Sequence, residues 1–230
     1  MFAISPSAMR GQLGKVAALF AGSIRPLTPN NRPSGIFKTP VEQAVWIGRN
    51  GLEGDAQADL RVHGGPEKAL HQYPAGHYSV LAQAFPDVRS ELFPGALGEN
   101  LSVSGWDEST VCIGDIFQLG DAVIQVSQPR TPCWKIDSRF GVEGMTQHIH
   151  QNDLTGWYFR VLSEGLVAPG GEFCLIERDP RKTSVKQLLS LWRAHRPSPE
   201  ALESIAAIST LSPNWVKKMN DRAQQLRHLP

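Results

Sequence analysis

Cysteine is scarce in this chain. Only Cys112, Cys133 and Cys174 occur among 230 residues, widely spaced and odd in number. That argues against a secreted disulfide framework and for a reducing, cytoplasmic setting. Long apolar runs are missing as well: nothing approaches the roughly 18 residues that a membrane span needs. An excess of one charge is also absent, since 23 basic side chains face 22 acidic ones. Without a charged field nothing marks a nucleic-acid partner, and a small molecule is the expected one. Hydrophobic content of 41% in a chain of this length supports one sizeable domain and a small one. Val16 to Gly22, after Arg10 and Lys15, has the outline of a minimal signal-peptide core. Gly14 to Phe20 also reads as a first strand that runs on into structured sequence, and the strand is the preferred reading.

The chain is organised around Ala122 to Lys135, AVIQVSQPRTPCWK. Val123, Ile124 and Val126 give a strand signal, and Pro129 and Pro132 cannot continue a ladder, so the chain leaves the sheet near Gln128. Cys133 therefore sits on a loop at a strand end. Each proline fixes its own φ and biases its predecessor towards extended geometry, which makes the loop stiff enough to hold a thiol in place. Arg130 and Lys135, if close, favour the thiolate, the form that attacks electrophiles and binds metals. An inert buried cysteine is the competing interpretation.

The first nine residues read as a loose extension ahead of a second start at Met9. Residues 23–40 hold Pro26, Pro29, Pro33, Pro40 and Gly35, the composition of a long loop. Val41 to Gly48 reads as a strand, and Gly48, Gly51 and Gly54 mark turns rather than a dinucleotide fingerprint. The polar patch RVHGGPEKALHQYP, Arg61 to Pro74, places His63, Lys68 and His71 around a Gly64-Gly65-Pro66 turn whose bare backbone can approach a ligand. Two histidines eight apart do not match a zinc spacing, so hydrogen bonding to a ligand and structural contacts are the roles weighed. Ala75 to Phe85 reads as a helix with Tyr78, Leu81, Ala82 and Phe85 on its core face. Short apolar runs at intervals of about ten residues, from Gly98 to Phe117, favour a β barrel. Cys174 to Ile176 is expected to close the sheet, and Gly141 to Gly165 is expected to be helical with Gly165 as its cap. His148 and His150 fall on different faces of that helix. After the polar run Glu177 to Lys182, three short helices begin at Ser184, Ser198-Pro199 and Ser212-Pro213.

The loop SQPRTPCWK together with HGGPEKALHQYP, LGENLSV, IGDIFQLG and LTGWYFRVL resembles the MOSC family and its YiiM-like branch, from about Gly14 to Asp179. The resemblance implies an α+β chain: an extension over 1–13, a closed or partly closed β barrel with peripheral helices over 14–179, and a three-helix domain over 183–230. It implies a molybdenum cofactor (molybdopterin) with Cys133 as thiolate ligand, and reduction of N-hydroxylated compounds including hydroxylamino purines. A dithiolene-bound metal accepts a soft thiolate. The pterin phosphate needs cations and amide donors, which Arg25, His63, Lys68, Arg130, Lys135 and the Gly64-Gly65 turn can supply. Asn100 and the backbone around Gly98 are candidates for the edge of the pterin ring, and a tight turn capped by Asn is equally compatible. His63 or His71 can deliver a proton or simply hydrogen-bond.

Three scattered cysteines cannot supply a four-cysteine iron–sulfur cluster, so electrons are expected from a separate reductase, a flavoprotein. Cys112 and Cys174 are expected to be packing residues. Two other functions use the same thiol: a sulfur carrier with a persulfide on Cys133, and a non-catalytic module that binds the molybdenum cofactor. Pyridoxal phosphate on Lys135 or Lys68 is a weaker alternative.

Overall fold

The structure is a computed structural model that describes residues 13–29, 31–60 and 63–228. The expected extension up to Gln12, the second start at Met9, and Arg61 at the head of the polar patch lie outside the described residues.

Along the chain run β1 (Leu13–Ala21), β2 (Arg25–Leu27), β3 (Arg32–Ser34), β4 (Thr39–Pro40), β5 (Val45–Gly48), β6 (Gly51–Leu52) and β7 (Leu70–Pro74). Then come α1 (His77–Ala84), β8 (Leu101–Val103), β9 (Ile116–Leu119), β10 (Ala122–Pro129), α2 (Lys135–Phe140) and α3 (Met145–Gln151). The chain continues through β11 (Trp157–Ser163), β12 (Gly165–Val167), β13 (Glu172–Glu177), α4 (Val185–Arg193), α5 (Pro199–Ala206) and α6 (Pro213–Arg227).

An eight-stranded sheet takes the order β13-β9-β10-β11-β7-β8-β1-β4 and curls on itself, because β13 also pairs with β1. Leu13 lies opposite Cys174 and Lys15 opposite Glu172 at this closure. Closing the ring leaves few unpaired strand edges. Neighbours are antiparallel except β7 and β8, which run parallel with Gln72 opposite Leu101. A parallel pair needs a crossover, and α1 with the turns after it supplies one.

Aromatic side chains fill the barrel: the rings of Phe117 and Phe173 stack at 4.4 Å, and Phe159 meets both edge-on. Leu188, Trp215 and Met219 of the C-terminal helices belong to the same buried cluster as these rings. A second cluster joins Tyr78 and Leu81 to Ile136, Phe140 and Met145. The Cys133 loop runs from a strand of the first cluster into a helix of the second. Both ends of the loop are thus anchored in packed structure.

Three expectations need correction. The helix over Gly141 to Gly165 is two elements: α3 stops at Gln151, and Trp157 to Ser163 is β11. Trp157 and Val161 are four apart, a spacing that fits one face of a helix and also one face of a strand. Alternation of buried Trp157 and Phe159 with partly exposed Tyr158 and Arg160 decides for the strand. Residues 23–40 are not simply loop, for β2 and β3 pair with Arg25 opposite Ser34 and Leu27 is fully buried. Prolines are tolerated there because a two-stranded ribbon is all edge. The strand expected from Val41 begins only at Val45. No helix among the described residues is long and apolar enough to cross a membrane.

Candidate functional site around Cys133

Strand β10 carries the chain to Pro129, and Arg130 holds the loop to β11 by donating its N–H to Gly156 O at 3.1 Å. Thr131 to Trp134 then lead into α2. The Cys133 carbonyl accepts from Ile136 N at 3.0 Å and from Thr146 Oγ1 at 3.1 Å. Thr146 is itself fixed by Asp137, whose Oδ1 accepts from its amide at 2.6 Å and its hydroxyl at 2.7 Å. The thiol is half-buried. It lines a cavity together with several cations and imidazoles.

One wall comes from the polar patch before and within β7. His63, Gly64, Lys68 and His71 all line the cavity with Cys133, Arg130 and Lys135. Burial, and then the charges of Lys135, Arg130 and Lys68, push His63 down to a pKa of about 4. Burial first and Arg130 second hold His71 well below the usual imidazole range. Both imidazoles are neutral at pH 7. Burial and the neighbouring Lys218 lower Lys68, whose ammonium lies 5.9 Å from the centre of the Tyr158 ring.

Arg130 is only 6% exposed. Its Nη2 donates to Leu97 O at 3.0 Å, while the buried Nη1 has no hydrogen-bond partner among the described residues. An unused guanidinium donor in a cavity wall is a ready contact for an anionic oxygen. Behind Leu97, buried Glu99 accepts from Tyr78 Oη and Gly95 N, both at 2.6 Å, and from Leu97 N at 3.2 Å. Burial raises the Glu99 pKa, against the pull of these donors.

The opposite wall centres on a buried ion pair. Lys38 Nζ donates to Asp55 Oδ1, with side chains 4% and 1% exposed. Asp55 also accepts from Gly22 N at 2.9 Å, Gln57 Nε2 at 3.1 Å and Asn100 Nδ2 at 2.9 Å. Asn100 spends its remaining contacts on His71 N at 3.1 Å and Phe20 O at 3.2 Å. The side chain of Asn100 thus ties β1 and β7 to the turn of Asp55. Gly98 N is likewise used, by Gly95 O at 3.2 Å.

Of the residues singled out from sequence, Cys133, His63, His71, Lys68, Asn100, Arg130 and Lys135 share this cavity. Arg25 stands exposed on β2 and is not among the lining residues. Lys38, Asp55 and Tyr158 line it without having been anticipated. The apolar pair Ile36-Phe37 before Lys38 was the one hint that this proline-rich passage is packed. Tyr158 lay within the stretch read as helix. Cys112 and Cys174 are buried away from the cavity, as packing residues should be. Among the described residues no three His, Cys, Asp or Glu side chains gather into a metal cage.

Residues 59–173 match the family model for the MOSC domain. The chain is 43% identical over 182 residues to uncharacterized protein YflK of Bacillus subtilis, covering 79% of this chain and 81% of that one. Protein YiiM of Escherichia coli is 38% identical over 196 residues, 84% of this chain and 86% of that one. A Gibberella moniliformis protein named Reductase is 38% identical over 173 residues, 72% of this chain but 29% of that longer protein. Among solved structures, YiiM of Geobacillus stearothermophilus superposes with a TM-score of 0.77 at 31% identity, covering 92% of this chain and 100% of that one. The family model spans half the sequence, and YflK and YiiM align over most of their length: the chain belongs to the MOSC domain family.

Proposed function

We propose that this protein is a molybdenum cofactor-dependent reductase of N-hydroxylated compounds such as 6-N-hydroxylaminopurine. The observation that carries this reading is a half-buried thiol, Cys133, in one cavity with Arg130, whose buried Nη1 has no partner among the described residues, and with Lys68 and Lys135. A soft sulfur ligand beside cations fits a metal that brings its own sulfur ligands and an anionic phosphate. Cys133 would ligate the molybdenum; Arg130, Lys68 and Lys135 would hold the phosphate. When bound, the cofactor supplies two-electron redox chemistry.

Converting an N–OH group to N–H takes up two electrons and two protons and releases water. His63 and His71, neutral at pH 7, each offer one N–H to hydrogen-bond the substrate oxygen. An anion bound beside Arg130 and Lys135 offsets the charges that add to the burial in depressing His63. The similarity to a protein named Reductase supports the oxidoreductase class. In this reading electrons come from a separate reductase, a flavoprotein. The Asp137–Thr146 brace on the Cys133 carbonyl keeps the sulfur in place through the cycle.

The test is molybdenum content and hydroxylaminopurine reduction with a chemical electron donor, for wild type and Cys133→Ala made in a host that produces the cofactor. The expected result is near-stoichiometric molybdenum and activity, both lost in the variant. Metal-free protein carrying a persulfide on Cys133 would overturn the reading in favour of a sulfur carrier.

A further inference from the structure

A second hollow opens at the mouth of the Cys133 cavity and shares His63 and Lys135 with it. Arg32, Asp59 and Trp134 line it as well. Trp134 follows Cys133 directly in the chain, yet it is 44% exposed. Its ring is thereby available to a planar ligand in the hollow.

The hairpin of β2 and β3 brings a cation onto this ring. The Arg32 guanidinium lies 5.6 Å from the centre of the Trp134 ring, and Lys135 Nζ is steered to the same hairpin by Pro33 O at 3.0 Å. A guanidinium held near a ring still carries N–H donors that an anionic oxygen can take up. Among the described residues no side-chain hydrogen bond of Arg32 uses those donors. Ring and guanidinium together form a surface for a planar molecule that carries an anionic oxygen group.

We propose that this outer hollow is a substrate subsite for nucleotides: the base stacks on the Trp134–Arg32 surface and its phosphate meets Arg32, Lys135 being left to the cofactor phosphate. The proposal rests on the reductase reading only for the N-hydroxyl group that points inward to Cys133. It adds that the preferred substrate is an N-hydroxylated nucleotide rather than a free base or an aliphatic hydroxylamine.

The test needs no turnover. Tryptophan fluorescence of the full chain is titrated with adenosine 5′-monophosphate, adenosine and inorganic phosphate, unreactive probes that lack the N–O bond. Because the chain has six tryptophans, Trp134→Phe identifies the responding ring. The nucleotide is expected to bind about tenfold tighter than the nucleoside, as one phosphate contact set allows. Arg32→Gln should bring that ratio close to one, and Trp134→Phe should abolish the quenching. Equal affinities for nucleotide and nucleoside in wild type, an unchanged ratio in Arg32→Gln, or inorganic phosphate competing as well as the nucleotide would each overturn the proposal. Molybdenum content and reduction of free hydroxylaminopurine, measured on the same wild-type preparation, separate the two claims. Nucleotide preference in inactive protein leaves the subsite standing without the reductase, and an active protein without that preference does the reverse.

Discussion

Arg130 donates to the carbonyl of Leu97, 33 residues earlier in the chain, and so ties the loop of Cys133 to the turn of Gly98. The same guanidinium keeps a buried donor in reserve. Arg130→Lys retains a charge but replaces a planar fork by a point donor, so the Leu97 carbonyl loses its partner. We expect a loss of about 1–3 kcal/mol in denaturant unfolding, together with reduced molybdenum content. Unchanged values of both would show that neither contact matters.

Lys38 and Asp55 form the most completely buried ion pair at the site. Removing one partner strands the other charge away from water. Lys38→Met should cost about 3–5 kcal/mol, and the double variant with Asp55→Asn should regain part of it. Urea unfolding of both variants decides the matter. A single-variant cost below about 1 kcal/mol, as for an exposed pair, would contradict the burial.

The depressed pKa of His63 makes stability depend on pH. Its folded value of about 4 lies below the ordinary 6.5, so between those two values the unfolded chain binds the extra proton. Stability is therefore fully present above pH 6.5 and falls as pH drops towards 4. His71, shifted in the same direction, adds to the fall. His63→Asn should flatten the curve of thermal midpoint against pH in that window without abolishing its slope. An identical slope in the variant would remove His63 from the account.

Gly156 is the crossing point behind the cavity. Its φ is +70°, and a Cβ there would sit 2.2 Å from Gln72 O and 3.2 Å from His71 Nε2. Gly156→Ala must displace β7 or β11, since the clash is with backbone rather than with a flexible tip. A loss of about 3 kcal/mol or more is expected in unfolding experiments; a variant as stable as wild type would mean that the two strands are farther apart.

Local chemistry made much of the molecule readable. Ser184 caps α4 in a reciprocal capping box with Gln187, and Ser198 caps α5; both signals are confined to four consecutive residues. Cys133, Arg130 and Lys135 share one short stretch and His63, Lys68 and His71 another, so their meeting depended on a single tertiary contact between two segments. Lys38 and Asp55 were different. Each is an ordinary charged residue in a turn-rich passage, and only the folded chain turns them into a buried pair. The strand at Trp157 was misread because a four-residue spacing satisfies both periodicities, and the break at Asp153, with its φ of +59°, carries no glycine or proline signal at that position.

Closure of the barrel by its first and last strands sets a schedule for biosynthesis. The partners of Leu13 to Lys15 are residues 172–174, so the ring cannot shut until those residues have left the ribosome. Until then β1 and β9 each present an open edge to other nascent chains. Contacts this distant in sequence are slow to form. Expression at lower temperature or with chaperones that shield strand edges should therefore raise the yield of folded protein more than any change to the Cys133 loop.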